Sequence, residues 1–449
     1  MKSTPPMAHI AQLALPMAGS RFIQMFTGFI NTMMASHLGH QILAACALVG
    51  ASLSFTLLIF ISILFSVSFI VGRSYGAQEY GKIGALVQQG MVLSFLLSLL
   101  LLGCFFLIVP MLRLFHQDPA ILLYVHDYFY ALAWGAIPIL LQCCLEQFFY
   151  GILKQRLVLV INIICMCFSI SIAYVFIFGK LGLPSMGIAS IGLAFALQAW
   201  LNFLLLLACC YFLKTMKPYQ LFHRHAWQGL IYCRKILSVG WPIGLQLGGE
   251  LGAYFVMTMM IGWLGMNALA AVQITQQWMY LVIVPIYAIS EAAGIMVGQS
   301  VGANRRHLIY AIGRSSIIFS LGLILLLDAA FVCFPNFFAS FYLHGYSIDN
   351  FKILQLVRPL FLLMAFTLIF NTTRNIFAGL LRGLLDTQFP MRIGIGMMWL
   401  IVLPLGYLFA FYWHGGVIGF RWGENIGLLI GAIIIYWRWA KLGNQISEQ

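Results

Sequence analysis

The feature that most constrains this chain is a succession of long apolar runs separated by short breaks of Gly, Pro and charge. They begin near residues 10, 43, 85, 119, 155, 187, 236, 268, 308, 355, 388 and 416. Crossing the hydrocarbon core of a bilayer takes about 20 such residues in a helix. In lipid every backbone N–H and C=O must be satisfied inside its own segment or a closed barrel, and these runs are too long and too uniformly apolar for alternating barrel strands. The reading is therefore an all-α integral membrane protein of twelve transmembrane helices. Composition agrees: 62% of the 449 residues are hydrophobic and 8% charged, against roughly 45–50% and 25% in a soluble domain. Twelve spans leave no extramembrane domain of useful size.

The formal net charge is +13. No basic stripe with interleaved aromatics suggests a nucleic-acid surface, so no nucleic-acid partner is expected. The cations sit between apolar runs and alternate in density. Of the 24 Lys and Arg, 17 fall on one side, among them Lys2, Arg73, Lys82, Lys154, Lys214, Arg224, Arg305 and Arg382. Arg113, Lys180, Lys352, Arg358 and Arg421 fall on the other, while Arg21 and Arg374 lie within runs. The positive-inside rule then places both termini in the cytoplasm of a multi-pass inner-membrane protein. The ten Cys lie in or beside apolar runs without CxxC pairs, and the His, including His37/His40 and His223/His225, form no HxxxH or HExxH pattern. No metal or cofactor is expected from these patterns. The N-terminal stretch has no small-residue cleavage site before its long apolar run and reads as mature sequence.

Self-similarity appears at an offset of 226 residues. Pro16 aligns with Pro242, Thr32-Met33-Met34 with Thr258-Met259-Met260, Leu38-Gly39 with Leu264-Gly265, and VGRSYGA from Val71 with VGQSVGA from Val297. An offset of six helices preserves topology, so the halves are parallel repeats. The expected organisation is an N-terminal lobe over 1–213, a cytoplasmic connection over 214–235 and a C-terminal lobe over 236–449. Paired bundles with a cavity near the midplane suit alternating access, hence a transporter. A duplicated structural membrane protein is the bland alternative. No nucleotide loop, metal motif or nucleophile elbow supports an enzyme.

Ionisable residues inside spans are costly and mark function by default. Six stand out: Arg21, Glu146, Glu250, Glu291, Asp328 and Arg374. Glu250 lies midway along WPIGLQLGGELGAYFVMTMM, a depth suited to ion coupling. Burial there favours proton uptake, whereas a nearby cation would hold the carboxylate ionised. Glu146 and Arg374 precede the similar segments FFYGILK and IFAGLLR and read as pseudo-symmetric counterparts, a structural or gating ion pair. Arg21 requires a carboxylate or an anionic substrate. Glu291 is as suited to pairing as to lining the cavity, and Asp328 to snorkelling or local pairing. Met257, Met259, Met260, Trp278 and Tyr280 near the expected cavity would suit apolar recognition, though packing or lipid contact is the commoner role for each.

LPMAGSRFIQMFTGFINTMMASHLG, the LAA that follows, VGRSYGA, VGQSVGA and GLLRGLLDT resemble the multidrug and toxic compound extrusion (MATE) family over nearly the whole chain. The resemblance implies a secondary antiporter that exports cationic or amphiphilic compounds in exchange for protons or sodium from a cavity between two lobes, working as a monomer in lipid. Glu250 matches the family's acidic residue of the seventh helix and Gln273 its Gln in the eighth. Two positions depart: Asn31 and Asn371 stand where many bacterial members have Asp, and Arg374 replaces a nearby Gln. Asn takes up no proton, which shifts coupling toward Glu250 and Glu291 and favours protons, leaving Asn31, Asn371 and Gln273 as neutral cavity contacts. Arg21 and Arg374 keep open a flippase for an anionic lipid-linked precursor. Loss of transport, leaving a receptor or scaffold, is a third reading.

Overall fold

A computed structural model describes residues 6–37, 39–180, 182, 185–222, 229–342 and 348–447. Lys2, Leu38, His223, Arg224 and His225 lie outside the described residues, among which there is no strand. In chain order the helices are α1 (Pro6–Ser36), α2 (His40–Gly76), α3 (Tyr80–Leu114), α4 (Pro119–Ala133), α5 (Ala136–Gly151), α6 (Gln155–Phe178), α7 (Ala189–Phe212), α8 (Ile231–Gly262), α9 (Met266–Gly302), α10 (Leu308–Cys333), α11 (Pro335–Ser340), α12 (Ile348–Gly383), α13 (Gln388–Met397), α14 (Leu403–Tyr407) and α15 (Gly416–Ser447).

Nine segments among the described residues are long and apolar enough to cross a membrane, one of them being α13, α14 and two π-helical turns together, Gln388–Tyr412. The tenth span is broken: α4 and α5 meet at 56° across Trp134 and Gly135. Helices α1 and α8, of 31 and 32 residues, reach about 45 Å at 1.5 Å per residue and complete the twelve. The chain thus has an all-α membrane architecture of twelve spans in two six-helix lobes.

The repeat is visible in the backbone. Helices α2 and α9 have 37 residues each, and each follows a glycine at positive φ, Gly39 at 118° and Gly265 at 107°. A residue with a Cβ is strained in that region, so glycine ends the preceding span in both halves. Past the same two helices, Gln78 and Asn304 both take left-handed φ, 59° and 56°.

Contacts divide the chain into two compact units, Gly19–Gly244 and Met1–Ala18 with Leu245–Gln449. In the first, the polar connection after α7 is anchored to α3. Lys214–Tyr219 forms a 3-10 helix, Gln88 Nε2 donates to the Leu221 carbonyl at 2.5 Å, and Gln89 Nε2 donates to that of Gly229 at 2.6 Å. Gln89 Oε1 also accepts from the free N–H groups of Tyr232 and Cys233 in the first turn of α8, where a helix has no internal partner for them. In the second unit α9 and α12 approach most closely, with Ser290 Oγ donating to the Asn375 carbonyl at 2.6 Å.

Candidate functional site

Polar side chains in this apolar chain collect in two places, one in each unit. In the first unit, a cavity of about 510 Å³ opens among α1, α2, α4, α5 and α7, a volume suited to a small organic molecule. Arg21, Asn31 and Glu146 all line it. Of the expected site residues these are the ones brought together here, with Arg21 and Asn31 carried by α1 and Glu146 by α5. The Arg21 guanidinium lies 5.5 Å from the centre of the Phe65 ring, a cation–π distance.

The cavity also has a set of amides that sequence reasoning missed: Gln142 and Gln147 on α5, and Gln198 and Asn202 on α7. Their side-chain oxygens, with that of Asn31, are buried and have no hydrogen-bond partner among the described residues. Asn202 Nδ2 does donate to Asn162 Oδ1 at 2.6 Å, which directs the Asn202 oxygen elsewhere. A buried acceptor without a donor costs about 1–3 kcal/mol. Five of them gather around one cavity. The signal for them was the recurrence of Gln and Asn inside apolar runs, weaker than a charge because an isolated amide also occurs as packing.

In the second unit, Glu250 on α8 meets Arg374 on α12. Glu250 Oε1 accepts from Arg374 Nη1 at 2.6 Å, and Oε2 accepts from Nη2 at 3.0 Å. Gln246 Nε2 donates to the same carboxylate at 2.9 Å, and Gln246 Oε1 accepts from Arg382 Nη2 at 3.0 Å. Asn371 Oδ1 accepts from both Arg374 and Asn375. Arg374 is 2% exposed and Glu250 5%. A two-pronged guanidinium–carboxylate pair is the strong form of this interaction, and removal of one partner of a buried pair costs about 3–5 kcal/mol.

This corrects the expected pairing of Glu146 with Arg374. The guanidinium is held by Glu250, which faces it from α8 within the second unit, while Glu146 belongs to the first unit's cavity. The cation beside Glu250 is Arg374 itself. A second buried pair was missed: Arg421 Nη1 donates to Glu424 at 2.5 Å and Nη2 donates to Gln276 Oε1 at 3.1 Å. Both side chains sit on α15, three residues apart, within 5% exposure. That spacing was readable, but placing Arg421 in a connection hid it.

The other expected residues are dispersed. Glu291 and Met257 are buried, and Gln273 is exposed. Trp278 joins Phe331, Phe338 and Phe341 in an aromatic cluster and donates its indole N–H to the Phe338 carbonyl at 3.2 Å. Asp328 on α10 neither snorkels nor pairs: it is 4% exposed, and neither carboxylate oxygen has a hydrogen-bond partner among the described residues.

The family model described as MatE matches residues 16–175 and 242–408, one block in each half of the chain. The chain belongs to the MatE family. This MatE protein is 30% identical over 438 residues to a probable multidrug resistance protein NorM of Synechocystis, covering 96% of the chain and 94% of the relative. It is also 30% identical over 436 residues to the multidrug resistance protein NorM of Burkholderia vietnamiensis, covering 95% and 92%. Among solved structures, a MATE protein in a bent conformation matches with a TM-score of 0.90 at 17% identity, over 99% of this chain and 97% of that one. A MOP superfamily transporter from Pyrococcus furiosus matches at 0.89 with 18% identity, over 99% and 98%. Those two likenesses carry the fold. The MatE protein is a multi-pass membrane transporter, and its family is one of transporters, not enzymes.

Proposed function

We propose that this MatE protein is an ion-coupled antiporter that exports cationic or amphiphilic organic compounds by alternating access, with protons as the favoured coupling ion and sodium the alternative. It works as a monomer in the lipid of the cytoplasmic membrane, with both termini cytoplasmic, as two lobes over 1–213 and 236–449. The observation that carries this reading is the cavity of the first unit, where five amide oxygens lack donors among the described residues and Glu146 adds a carboxyl group. Such a lining offers acceptors to the N–H donors of an organic amine, with Glu146 and Arg21 supplying one charge of each sign on its wall. The NorM names of the relatives support a multidrug substrate class.

Coupling through Glu250 then has a definite form. An ionised Glu250 holds Arg374, tying α8 to α12. A proton delivered to the carboxylate removes the Coulomb attraction and one acceptor position, which frees the guanidinium and loosens the two helices. The alternative of an anionic lipid-linked precursor loses Arg374, which Glu250 engages, and keeps Arg21, which lines the first unit's cavity.

The test is efflux of a fluorescent cationic dye from proteoliposomes under an imposed pH gradient, with a sodium gradient as control. Wild type should drive efflux under the pH gradient, Gln147→Leu should weaken dye binding, and Glu250→Gln should abolish the response to pH. Absence of wild-type efflux under either gradient would refute the exporter reading for that dye class.

A further inference from the structure

Asp328 is a charged residue type in a membrane helix that the mechanism above does not use. It lies on the buried stripe of α10 formed by Ser316, Ser320, Ile324 and Phe331. One turn along that stripe, Phe331 stacks on Phe361 of α12 with ring centres 5.7 Å apart and touches Trp278 of α9 at 6.0 Å. Phe338 of α11 closes the group, 4.6 Å from Phe331 and 4.9 Å from Trp278. These four rings form an aromatic plug one turn from the carboxyl group, and on the other side Ile324 separates Asp328 from Ser320 and Ser316.

The elements packed against α10 are α9, α11 and α12, and α15 touches its first turns through the Tyr310–Trp439 ring stack and the Tyr310–Ala440 hydrogen bond; the charged residues in the first turns of α15, Arg421 and Glu424, are bonded to each other. At the level of Asp328, fixed by the Phe331 contacts, the ionisable residues along α9 are Tyr280, which is exposed, and Tyr287, and α11 has no ionisable residue. On α12 the nearest cation, Arg358, donates to Asn336 at 3.0 Å. Glu291 and Arg374 lie about ten residues further along α9 and α12, roughly 15 Å by helical rise. Among the described residues an ionised carboxylate in such a place has neither counter-ion nor donor, whereas the neutral acid is tolerated.

We infer that Asp328 is a proton-binding site, one that the transport cycle loads and unloads. Its carboxylate takes one proton to become the neutral acid and returns it when movement of the plug or of α10 admits water. The cycling half of this inference rests on the proton-antiport reading, and the occupancy half does not.

Infrared spectra of the full chain in lipid, wild type against Asp328→Asn, test occupancy. A carboxylic-acid C=O band that shifts in heavy water and is missing from the variant is expected; superimposable spectra overturn the site. Dye efflux under a pH gradient tests the cycle. Asp328→Asn, a mimic of the neutral acid, should move dye down its own gradient yet lose pH-driven export, and Asp328→Glu should restore it, which separates loss of the site from misfolding. Full pH-driven export by Asp328→Asn overturns the proposal. If wild type answers only to sodium, the antiport reading fails for protons, and the infrared band alone then decides whether Asp328 holds one.

Discussion

Glu250 and Arg374 illustrate how one charge depends on another inside a membrane protein. Each alone at 5% or 2% exposure would be an uncompensated ion, and breaking such a pair costs about 3–5 kcal/mol. Arg374→Met should therefore lower the thermal unfolding midpoint in detergent micelles sharply. The double variant Glu250→Met/Arg374→Met should recover most of that loss, because two apolar side chains of similar volume replace the pair without leaving an ion behind. Equal or greater loss in the double variant would mean that Gln246, Arg382 and Asn371 depend on both partners. At this scale the sequence exposed Glu250 and Arg374 as candidates because a charge in an apolar run is conspicuous. It did not reveal that they face each other, since 124 positions separate them and pseudo-symmetry suggested Glu146 instead. The cavity amides were harder to see for the same physical reason. A neutral amide costs less in a span than a charge, so its presence says less until its neighbours are known.

At the scale of elements, the starts of the spans were legible because glycine and charge punctuate the apolar runs. The break between α4 and α5 was not, since the run from Pro119 to Gly151 stays apolar through Trp134 and Gly135. The closeness of α9 and α12 was equally hidden. It depends on Gly383, where an added Cβ would run into the backbone of Gly294, and on Gly379, where it would meet the backbone of Ser290. Gly383→Val should force these helices apart and lower stability by about 1–3 kcal/mol, the usual cost of overpacking a well-filled contact. Gly322 on α10 is the control, because a Cβ there meets nothing within 4 Å. Gly322→Ala should leave stability unchanged or raise it by about 0.5–1 kcal/mol through the lower chain entropy of Ala. Midpoints of thermal unfolding for the two variants decide the matter. A Gly383→Val protein as stable as wild type would show that α9 and α12 can separate at no cost, as a moving joint would require.

At the scale of the molecule, orientation follows from charges that the fold leaves on the surface. The sequence assigns 17 Lys and Arg to one side and five to the other, but two of those are not surface charges. Arg421, on the sparse side, is buried against Glu424, and Arg382, on the dense side, is buried against Gln246. Removing both leaves the asymmetry intact and makes the sparse side poorer still in the free cations that retain a loop in the cytoplasm. Twelve spans then return the chain to the side on which it started. A fluorescent-protein fusion after Gln449, in a bacterial host where that reporter matures only in the cytoplasm, should be bright. An alkaline phosphatase fusion at the same position, active only outside, should be silent. The reporters should exchange behaviour when fused after Phe115, beyond the third span. A silent fluorescent fusion after Gln449 with an active phosphatase there would remove one span from the count or invert the whole bundle. The fusion after Phe115 separates the two: it exchanges behaviour as well if the bundle is inverted, and stays as expected if the missing span lies beyond the third.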